Sequence, residues 1–535
     1  MRETLSFNMA TSEKTIETAG ERLEREPIFA WLKEIKKEFP RGEMYLVGGA
    51  ARDMFLKRPC KDYDFIARGI EPKKLQEFLG QIGVVNLVGR VFGVFKFTPL
   101  DQYEKFKQEK LEPFDVALPR TEHSYLSGGY RDFEVQSDSQ LPIEKDLERR
   151  DFTINAIALR ITNGDEYTNP IIDPYNGRGD LQDKIIRAVG NPEHRFKEDY
   201  SRMLRALRQA CQLGFTIEEK TFATIKKNAG ALMEKIPLNP PFQKGEAVGE
   251  WIVPRETIAK ETLKAFHADP VRAFDLFNES GFFKVLLPEV EQMKNCPQPE
   301  QFHSEGDVFV HTRLALETLQ TKEYKKLFGE NKPSAQLVMA ILLHDIGKPP
   351  TLKTPEAHGT ERIRFDEHND QGAEMAKKII KRLKLESLPE GTALHLDEKA
   401  LVWLIKNHLL LAHGDPQKMR AGTIEKYFFN PLVPGDELRR LSYCDIQATV
   451  PPSGQPDMTN FDKMTARVAE VGKFAREKNI LPPPILNGEE IMKILKIKPG
   501  PQVGKVILAL REEQLEGRVT DKEEAKKFIK STGKY

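Results

Sequence analysis

The chain has 535 residues, with 82 Lys and Arg against 81 Asp and Glu, and a formal net charge of +1. This length predicts about three or four domains, and 39% apolar with 30% charged residues is typical of a globular protein, not a disordered or fibrous one. The longest apolar run, Leu337 to Leu343, is too short to cross a bilayer, the N-terminus lacks a secretory core, and the four cysteines form no CxxC pair. We therefore expect a cytoplasmic protein with no membrane partner, no disulfides and no thiolate-bound zinc.

The predicted elements begin with short strands alternating with helices. Five runs read as strands: residues 44–47, 63–67, 94–97, 114–118 and 154–161. Beyond Asp180 strand patterns largely stop, and apolar residues recur with the 3.6-residue period of helices. Prolines are frequent in residues 236–250, which predicts an insertion or linker there. The pattern as a whole predicts an α+β N-terminal domain followed by a long helical remainder.

The run YLVGGAARDMFLKRPCKDYDF carries the first candidate site. A strand leads into Gly48-Gly49 and then into a helical stretch, so backbone amides at a helix N-terminus can receive a triphosphate. Asp62 and Asp64 lie two residues apart in a strand-like run, which places both carboxylates on one face. Two such carboxylates can hold Mg²⁺ ions that bridge nucleotide phosphates and a 3′-hydroxyl nucleophile.

Three later segments offer partners for this site. Asp115, in the next strand-like run, is the best candidate for a third carboxylate. In DLERRDFTINAIAL, Arg150 and the arginine before it can hold triphosphate or the growing RNA end. If KEDYSRMLRALR is helical, Asp199 and Arg202 share one face. Such a pair can accept the amine and ring acceptor of cytosine and adenine and reject uracil and guanine, although a surface ion pair is the alternative.

LVGGAARD with DYD, RRDFTINAIAL, DPYNGRGDL and EDYSRMLRALRQACQLGF, in this order, closely resemble the bacterial class II tRNA nucleotidyltransferases, the CCA-adding enzymes, over about residues 28–290. The resemblance implies a polymerase-β-like head with a mixed sheet, helical neck and body domains, and Mg²⁺-dependent, template-independent addition of C and A from CTP and ATP to the tRNA 3′ end. The resemblance implies Asp62 and Asp64 as catalytic residues that bind Mg²⁺, and Asp115 is the third predicted catalytic residue. The nucleotide-binding set is Gly48, Gly49, Arg52, Arg150, Asp151, Asn155, Glu198, Asp199, Arg202 and Arg205.

A second candidate site follows from the histidines, eight of whose eleven lie after residue 300. Six residues in helical-looking segments can converge in a bundle: His311, His344, Asp345, His368, His408 and Asp445. Mixed imidazole and carboxylate ligands suit Mn²⁺, Ni²⁺, Fe²⁺ or Co²⁺. Residues 300–450, with HDIGKP, resemble the HD-domain phosphohydrolases. That resemblance implies a first metal on His311, His344, Asp345 and Asp445, with His368 and His408 left for a second metal or the substrate.

The resulting prediction is an α+β protein of five parts. They are a catalytic head (26–165), a neck with a nucleotide-selecting helix (166–235), an RNA-binding body with the Pro-rich insertion (236–298), an all-α HD domain (299–455) and a helical tail (456–535). An A-adding specialist, a poly(A) polymerase of the same family and an RNA-binding adaptor with an inactive HD domain remain alternatives. The polar run SGGYRDFEVQSD disfavours a CC-only enzyme, because in the family a flexible loop here accompanies addition of the terminal A. Monomer and homodimer are both compatible with the sequence.

Overall fold

The computed structural model describes residues 27–60, 62–88, 94–109, 111–124, 133–161, 171–235, 251–411, 415–473 and 481–531. The chain divides into two compact units. The first runs to Ala265 and includes Glu279–Gly281; the second comprises Phe266–Asn278 and the residues from Phe282 onward. The Pro-rich stretch 236–250 and the paired glycines of SGGYRDFEVQSD lie outside the described residues. The five-part division stays a prediction. Within the described ranges, no helix is long and apolar enough to span a membrane.

Thirteen strands are present in the described residues. They are β1 (Glu43–Val47), β2 (Asp64–Arg68), β3 (Gly83–Val88), β4 (Val94–Pro99), β5 (Phe114–Ala117), β6 (Arg120–Ser124), β7 (Phe133–Ser137), β8 (Ala158–Arg160), β9 (Ile171–Ile172), β10 (Ile185–Ile186), β11 (Thr216–Ile217), β12 (Leu352–Lys353) and β13 (Arg364–Phe365). Seven of them form one mixed sheet in the order β3-β4-β5-β2-β1-β8-β9, in which only the β2–β5 pair is parallel. The mixed sheet of the α+β prediction is confirmed.

Helices fill the rest of the first unit and nearly all of the second. In the first unit they are α1 (Trp31–Glu38), α2 (Gly48–Phe55), α3 (Pro72–Ile82), α4 (Tyr103–Glu109), α5 (Ile143–Glu148), α6 (Gly177–Asp183), α7 (Pro192–Glu198), α8 (Ser201–Leu213) and α9 (Glu219–Asn228), and α10 (Arg255–Ala268) begins in the first unit and ends in the second. Those that follow are α11 (Pro270–Glu279), α12 (Phe282–Leu286), α13 (Pro288–Glu291), α14 (Val308–Thr318), α15 (Lys322–Phe328), α16 (Ala335–Leu343), α17 (Lys348–Thr351), α18 (Pro355–His358), α19 (His368–Leu383), α20 (Glu398–Asn407), α21 (Ala421–Ile424), α22 (Gly435–Ala448), α23 (Thr459–Gly472), α24 (Gly488–Leu495), α25 (Pro501–Leu515) and α26 (Lys522–Ser531).

The central strands β1 and β2 of the large sheet have buried residues on both faces, which fixes β2 and the acidic residue at its start. Phe65 of β2 packs edge-on against Trp31 of α1, with ring centroids 5.2 Å apart, and against Phe114 of β5. The next residue, Ile66, belongs to a buried cluster with Tyr45 and other apolar side chains. Successive residues of a strand point to opposite faces, so burial of both neighbours leaves β2 little freedom to slip.

In the second unit, helix α16 lies at the centre of a bundle. All nine of its residues are buried, and it packs against α14, α20 and α22. A helix that is apolar all round is stable only in such a position. Ser334 caps its N-terminus by accepting from the Leu337 N–H. The first residues after its C-terminus are His344 and Asp345, so the central helix delivers this pair into the bundle interior.

Two local predictions are wrong. The expected strand over 154–161 is only partly formed, because Thr153–Asn155 is a 3₁₀ turn and β8 covers just Ala158–Arg160. The expected continuous helix over KEDYSRMLRALR is interrupted: α7 ends at Glu198, and Asp199 is extended at φ −156° and ψ 103°. The Asp199 carboxylate accepts from the Ser201 N–H at 2.8 Å, a local bond that competes with helix hydrogen bonding.

Candidate functional sites

Strand register brings the acidic residues of the head together. Asp64 opens β2 and pairs in register with Asp115 of the parallel neighbour β5. Asp62 lies just before β2 and is exposed. On the other side of Asp115, Lys96 of β4 is its register partner, with its ammonium 2.7 Å from the carboxylate. The structure therefore places Asp115 next to Asp64, as the sequence predicts, and gives Asp115 a cationic partner that the sequence did not indicate.

Gly48 is required by its surroundings. It has φ +70°, and a Cβ atom there would lie 2.9 Å from Arg150 Nη1 and 3.2 Å from Asp64 Oδ2. Any other residue would be strained and would intrude between these two charged groups. The glycine thus leaves open the space between a guanidinium and a carboxylate at the N-terminus of α2, where backbone amides favour anions. This geometry is consistent with the predicted phosphate site.

Asp64 is unusual among the acidic groups of the head. Burial is the main cause that raises its pKa to about 6; the nearby carboxylates of Asp115 and Asp62 act in the same direction, and the charges of Arg150 and Lys96 oppose them. A carboxyl group in this position strongly prefers a compensating cation. A divalent ion would supply that charge, so the acidic residues present here fit a metal site.

A buried carboxylate that sequence reasoning missed, Asp146 of α5, holds both arginines of the RRD motif. Its side chain is fully buried; Oδ1 accepts from Arg149 at 2.8 Å and Oδ2 from Arg150 at 3.0 Å. The arginines keep the pKa of Asp146 below its usual range although burial opposes this. Asp146 precedes the two arginines by about one helical turn, and this spacing is the sequence feature that indicates the ion pairs. It fixes the guanidinium that faces Gly48.

The other predicted nucleotide-binding residues form a hydrogen-bonded chain between elements. Arg52 of α2 donates to Asn155 Oδ1 at 2.9 Å, and Asn155 Nδ2 donates to Asp151 Oδ1 at 2.9 Å. Asp151 in turn pairs with Arg205 of α8 at 2.7 Å. A Cβ atom at Gly49, at the start of α2, would lie 3.5 Å from Arg52 Nη2. These residues tie α2, the 3₁₀ turn and α8 together at the glycine turn.

Around the helix break, Glu198 is the centre of the contacts. Its Oε2 accepts from Arg202 Nη1 at 2.5 Å and from Arg195 Nη1 at 2.8 Å. Asp199 and Arg202 do not form the expected helical i,i+3 ion pair, because the helix stops between them. Arg202 is buried, and it also donates to the carbonyl oxygens of Arg195 and Arg149. Arg195 was not predicted; it lies one turn before Glu198 on α7.

In the second unit the six predicted His and Asp residues come together from five separate segments: α14, the turn after α16, the start of α19, the 3₁₀ turn after α20, and α22. Asp345 lies at the centre. Its Oδ2 is 3.2 Å from His344 Nε2 and 3.9 Å from His311 Nε2, and its Oδ1 is 3.5 Å from His368 Nε2 and 3.8 Å from His408 Nε2. Asp445 of α22 closes the first group, with Oδ1 3.1 Å from His311 Nε2 and 3.6 Å from His344 Nε2. One carboxylate thus faces two clusters of ligand atoms.

The histidine rings are oriented for metal binding. The Nδ1 atoms of His344, His368 and His408 each hydrogen-bond to the backbone carbonyl oxygen three residues earlier, at 2.8, 2.9 and 2.6 Å. Their Nε2 atoms are buried and have no hydrogen-bond partner among the described residues. A carbonyl bond at Nδ1 fixes the tautomer and directs the Nε2 lone pair inward, as in many metal sites. The residues present therefore fit a bound metal, and two of the three groups whose ligand atoms lie close together contain Asp345: His311-His344-Asp345 and Asp345-His368-His408.

The charge balance of the cluster also favours a cation. The carboxylates of Asp345 and Asp445 outweigh the opposing effect of burial and raise the pKa of His344 to about 10. Burial, reinforced by His344 and His368, lowers the pKa of His408 to about 4. Without a metal, a proton on His344 compensates the carboxylates, while His408 stays neutral and offers a lone pair. Metal binding would displace that proton.

Three contributors to this centre were not predicted. Glu305 Oε1 accepts from His311 Nδ1 at 3.0 Å and from His303 Nδ1 at 2.6 Å, which orients the His311 ring. Lys348 is buried and lies 2.7 Å from Asp345 Oδ2. Gly347 allows α19 to approach, because a Cβ there would lie 2.0 Å from the His368 carbonyl oxygen. Lys348 follows Asp345 by three residues in HDIGK; Glu305 lies in a loop, where no periodicity could identify it.

A cavity of about 750 Å³ opens onto this cluster. Asp345, His368, His408 and Asp445 line it together with the buried ammonium of Lys348. It is therefore a solvent-connected chamber that combines candidate metal ligands with a fixed positive charge. Such a chamber can bind a phosphate ester and present it to a metal-activated water.

Two family models match the chain. The poly A polymerase head domain matches residues 44–187, and the HD domain matches residues 308–439. A curated relative, the multifunctional CCA protein of Stenotrophomonas maltophilia, is 34% identical over 349 residues, which are 64% of this chain and 72% of the relative. Both matched domain types depend on metal ions.

Solved structures share the fold at low sequence identity. The Bacillus stearothermophilus CCA-adding enzyme in complex with CTP aligns with a TM-score of 0.58 and 20% identity, over 95% of this chain and 98% of that one. The Thermotoga maritima CCA-adding enzyme complexed with tRNA aligns with a TM-score of 0.58 and 18% identity, over 97% of this chain and 98% of that one. The common architecture extends over nearly the whole of each chain.

Proposed function

This chain belongs to the family of multifunctional CCA proteins, and from that premise we propose that it adds C and A nucleotides from CTP and ATP to the 3′ end of tRNA without a nucleic-acid template. The observation that carries this proposal is the head geometry. Gly48, at the start of α2, separates the Arg150 guanidinium from the Asp64 carboxylate, and Asp115 adjoins Asp64 on the next strand. This arrangement combines an anion site with an acidic site, as nucleotidyl transfer requires.

In the reaction, the 3′-hydroxyl oxygen of the tRNA attacks the α-phosphorus of the incoming nucleotide, and pyrophosphate leaves. Backbone amides at Gly48 and Gly49 and the Arg150 guanidinium bind and orient the triphosphate. Asp62 and Asp64, with Asp115 beside them, would hold Mg²⁺, which supplies charge for the leaving oxygens and makes the hydroxyl more acidic. Asp146 keeps Arg150 aimed at the phosphates through its buried ion pair.

We assign base selection to the segment at the helix break. Asp199 and Arg202 carry an acceptor and donors that match the amine and ring acceptor shared by cytosine and adenine. Glu198 positions Arg202 through their short ion pair. Asp199 is extended at the break and is held beside α8 by the Ser201 N–H, and Arg202 is anchored by Glu198. Asp151, Asn155, Arg52 and Arg205 would stabilise this arrangement through their hydrogen-bonded chain.

We also propose that the HD domain is a metal-dependent phosphohydrolase. His311, His344, Asp345 and Asp445 would hold one ion, and His368 and His408 a second one that shares Asp345. The oriented Nε2 atoms support this ligand set. Imidazole-rich ligation favours Mn²⁺, Ni²⁺ or Co²⁺ over Mg²⁺.

The five-part division and a cytoplasmic location belong to the same proposal, as does tRNA as the partner of a monomer or homodimer. Residues 184–210 carry seven Lys or Arg against three Asp or Glu, which suits a phosphate backbone.

Variants at the two centres test the two activities separately. Asp64→Asn should abolish C and A incorporation while tRNA binding persists, and Asp183→Asn, at an exposed position of α6, is the matched control. His344→Ala should remove phosphohydrolase activity and spare nucleotide addition. Robust incorporation by Asp64→Asn would contradict the head assignment. A wild-type protein that binds tRNA but performs neither reaction would instead be an RNA-binding adaptor.

A further inference from the structure

Helix α10 carries two lysines that have no acidic partner. Lys260 and Lys264 lie one helical turn apart on α10, so their side chains are neighbours on its surface. Lys260 is exposed and Lys264 is half-buried. Among the described residues, no carboxylate lies within ion-pair distance of either ammonium, whereas Glu261 between them pairs with Arg208 of α8. This face of α10 therefore has positive charge that is available to a ligand.

A series of contacts connects α10 to the loop that carries Asp62. Arg208 pairs with Glu261 of α10, and its Nη1 donates to Gln212 Oε1 at 2.8 Å. The Gln212 carbonyl oxygen accepts from Arg58 Nη1 at 3.2 Å. Arg58 lies a few residues before Asp62, in the loop between α2 and β2. The contacts thus hold the lysine-bearing helix beside the acidic residues of the head.

The electrostatics of Lys264 show the same proximity. Burial is the main cause that lowers its pKa; the charges of Lys260 and Arg208 act in the same direction, and the carboxylates of Glu261 and Asp62 oppose them. An anion bound next to this ammonium would stabilise its charged form. Glu261 is already paired, and the proposed reaction assigns Asp62 to Mg²⁺, so a substrate anion would complete the charge balance.

The proposed reaction brings two phosphate groups to the head, and each needs a cation. Arg150, held by Asp146, serves the triphosphate at the glycine turn. The RNA must place its 3′-hydroxyl at Asp62 and Asp64. The RNA phosphate nearest to that hydroxyl is the 5′-phosphate of the same terminal nucleotide. A cation that is close to Asp62 is therefore in a position to meet this phosphate.

We propose that Lys264 binds the 5′-phosphate of the terminal RNA nucleotide and thereby directs the 3′-hydroxyl of that nucleotide to Asp62 and Asp64. An ammonium and a phosphate oxygen form a charge-assisted hydrogen bond, and a lysine can follow the phosphate on its flexible stem. Lys260, at the exposed side, adds attraction for the RNA backbone. Lys264 takes no part in bond making; it is an RNA-binding residue. This inference rests on the proposed nucleotide addition.

Binding of a modified RNA tests the contact without the reaction. The probe is an acceptor-stem minihelix that ends in CC, with its last phosphodiester either natural or replaced by a neutral methylphosphonate, and without nucleoside triphosphate. Lys264→Gln should weaken binding of the natural RNA about tenfold, the usual worth of a hydrogen bond between charged groups. It should also reduce the slope of log affinity against log salt by about 0.7.

The two RNAs and two further variants identify the phosphate. The methylphosphonate RNA should bind the wild type about tenfold more weakly than the natural RNA does, and Lys264→Gln should weaken it no further. Lys264→Arg should keep the affinity for natural RNA, and Lys220→Gln, at an exposed position of α9, is the control. A loss in Lys264→Gln that is equally large with the methylphosphonate RNA, or no loss with the natural RNA, would overturn the inference and leave nucleotide addition intact.

Incorporation kinetics distinguish the RNA phosphate from the triphosphate. With tRNA ending in CC, Lys264→Gln should raise KM for the tRNA about tenfold and leave KM for ATP within twofold. A raised KM for ATP with an unchanged KM for tRNA would assign Lys264 to the triphosphate and overturn the inference. A protein that distinguishes the two minihelices through Lys264 but adds no nucleotide would overturn the proposed function and support the RNA contact.

Discussion

Replacing Asp64 with asparagine tests the electrostatics of the head directly. Burial raises the pKa of Asp64 to about 6 from its ordinary value of 3.8. A metal requires the ionised carboxylate, so binding must release a proton wherever Asp64 is protonated. With a pKa of about 6, the ionised fraction is about 0.99 at pH 8, about one half at pH 6 and about one tenth at pH 5. The Asp64-dependent metal affinity should therefore fall about tenfold between pH 8 and pH 5.

The assay is Mn²⁺ titration followed by electron paramagnetic resonance, without nucleotide, on the wild type and on Asp64→Asn. Subtracting the variant removes the contribution of the HD centre, whose histidines also titrate. A carboxylate with an ordinary pKa of 3.8 would lose only about a twentieth of its ionised form over the same range. Asparagine relieves the cost of burying a charge, so the variant should melt no lower than the wild type at pH 8. Asp64-dependent binding that does not change between pH 8 and pH 5 would refute this reasoning.

Three further predictions concern residues that position others. Asp146→Asn leaves Arg150 and its neighbouring arginine without their buried carboxylate. The free energy of unfolding, measured by urea denaturation, should therefore fall by about 3–5 kcal/mol, and a decrease below about 1 kcal/mol would contradict this. Glu305→Gln weakens the bond that orients His311, so metal content of the HD centre should fall about 10–100-fold while C and A addition persists; unchanged metal content would exclude this role. Arg202→Ala should reduce discrimination against UTP and GTP in single-nucleotide incorporation assays, and retained discrimination would remove the base-selection proposal.

Much of the fold follows from sequence periodicity, and the failures have local polar causes. The strands at 44–47 and 114–118 formed where predicted, because their apolar side chains are buried in the core of the head. The strand expected over 154–161 lost its first half, because Thr153 donates to Asp180 at 2.6 Å and Asn155 donates to Asp151 at 2.9 Å. These side-chain bonds stabilise a 3₁₀ turn. Asp180 lies 27 residues further along the chain, so the apolar pattern of the predicted strand does not reveal this contact.

The residues of the candidate sites also differ in how far the sequence alone indicates them. Residue type and spacing pointed to Asp64 and the HD pair His344-Asp345, and the structure places them beside other carboxylate and imidazole groups. They were not enough for Lys96, whose contact with Asp115 depends on strand order. They were also not enough for Glu305, which reaches His311 from a loop. Groups that act through another residue are set by tertiary contacts, so a pattern in one sequence does not reveal them.

The central claim is tested most directly by incubating the protein with tRNA transcripts that lack three, two, one or none of the terminal nucleotides, with each nucleoside triphosphate supplied alone and then CTP and ATP together. The proposed function predicts two C additions to the shortest tRNA from CTP alone and one A addition from ATP alone to tRNA ending in CC. With both triphosphates it predicts complete CCA and no further extension. Addition of A only would identify an A-adding specialist, and long A tails a poly(A) polymerase. Either result, or efficient use of UTP or GTP, would contradict the account.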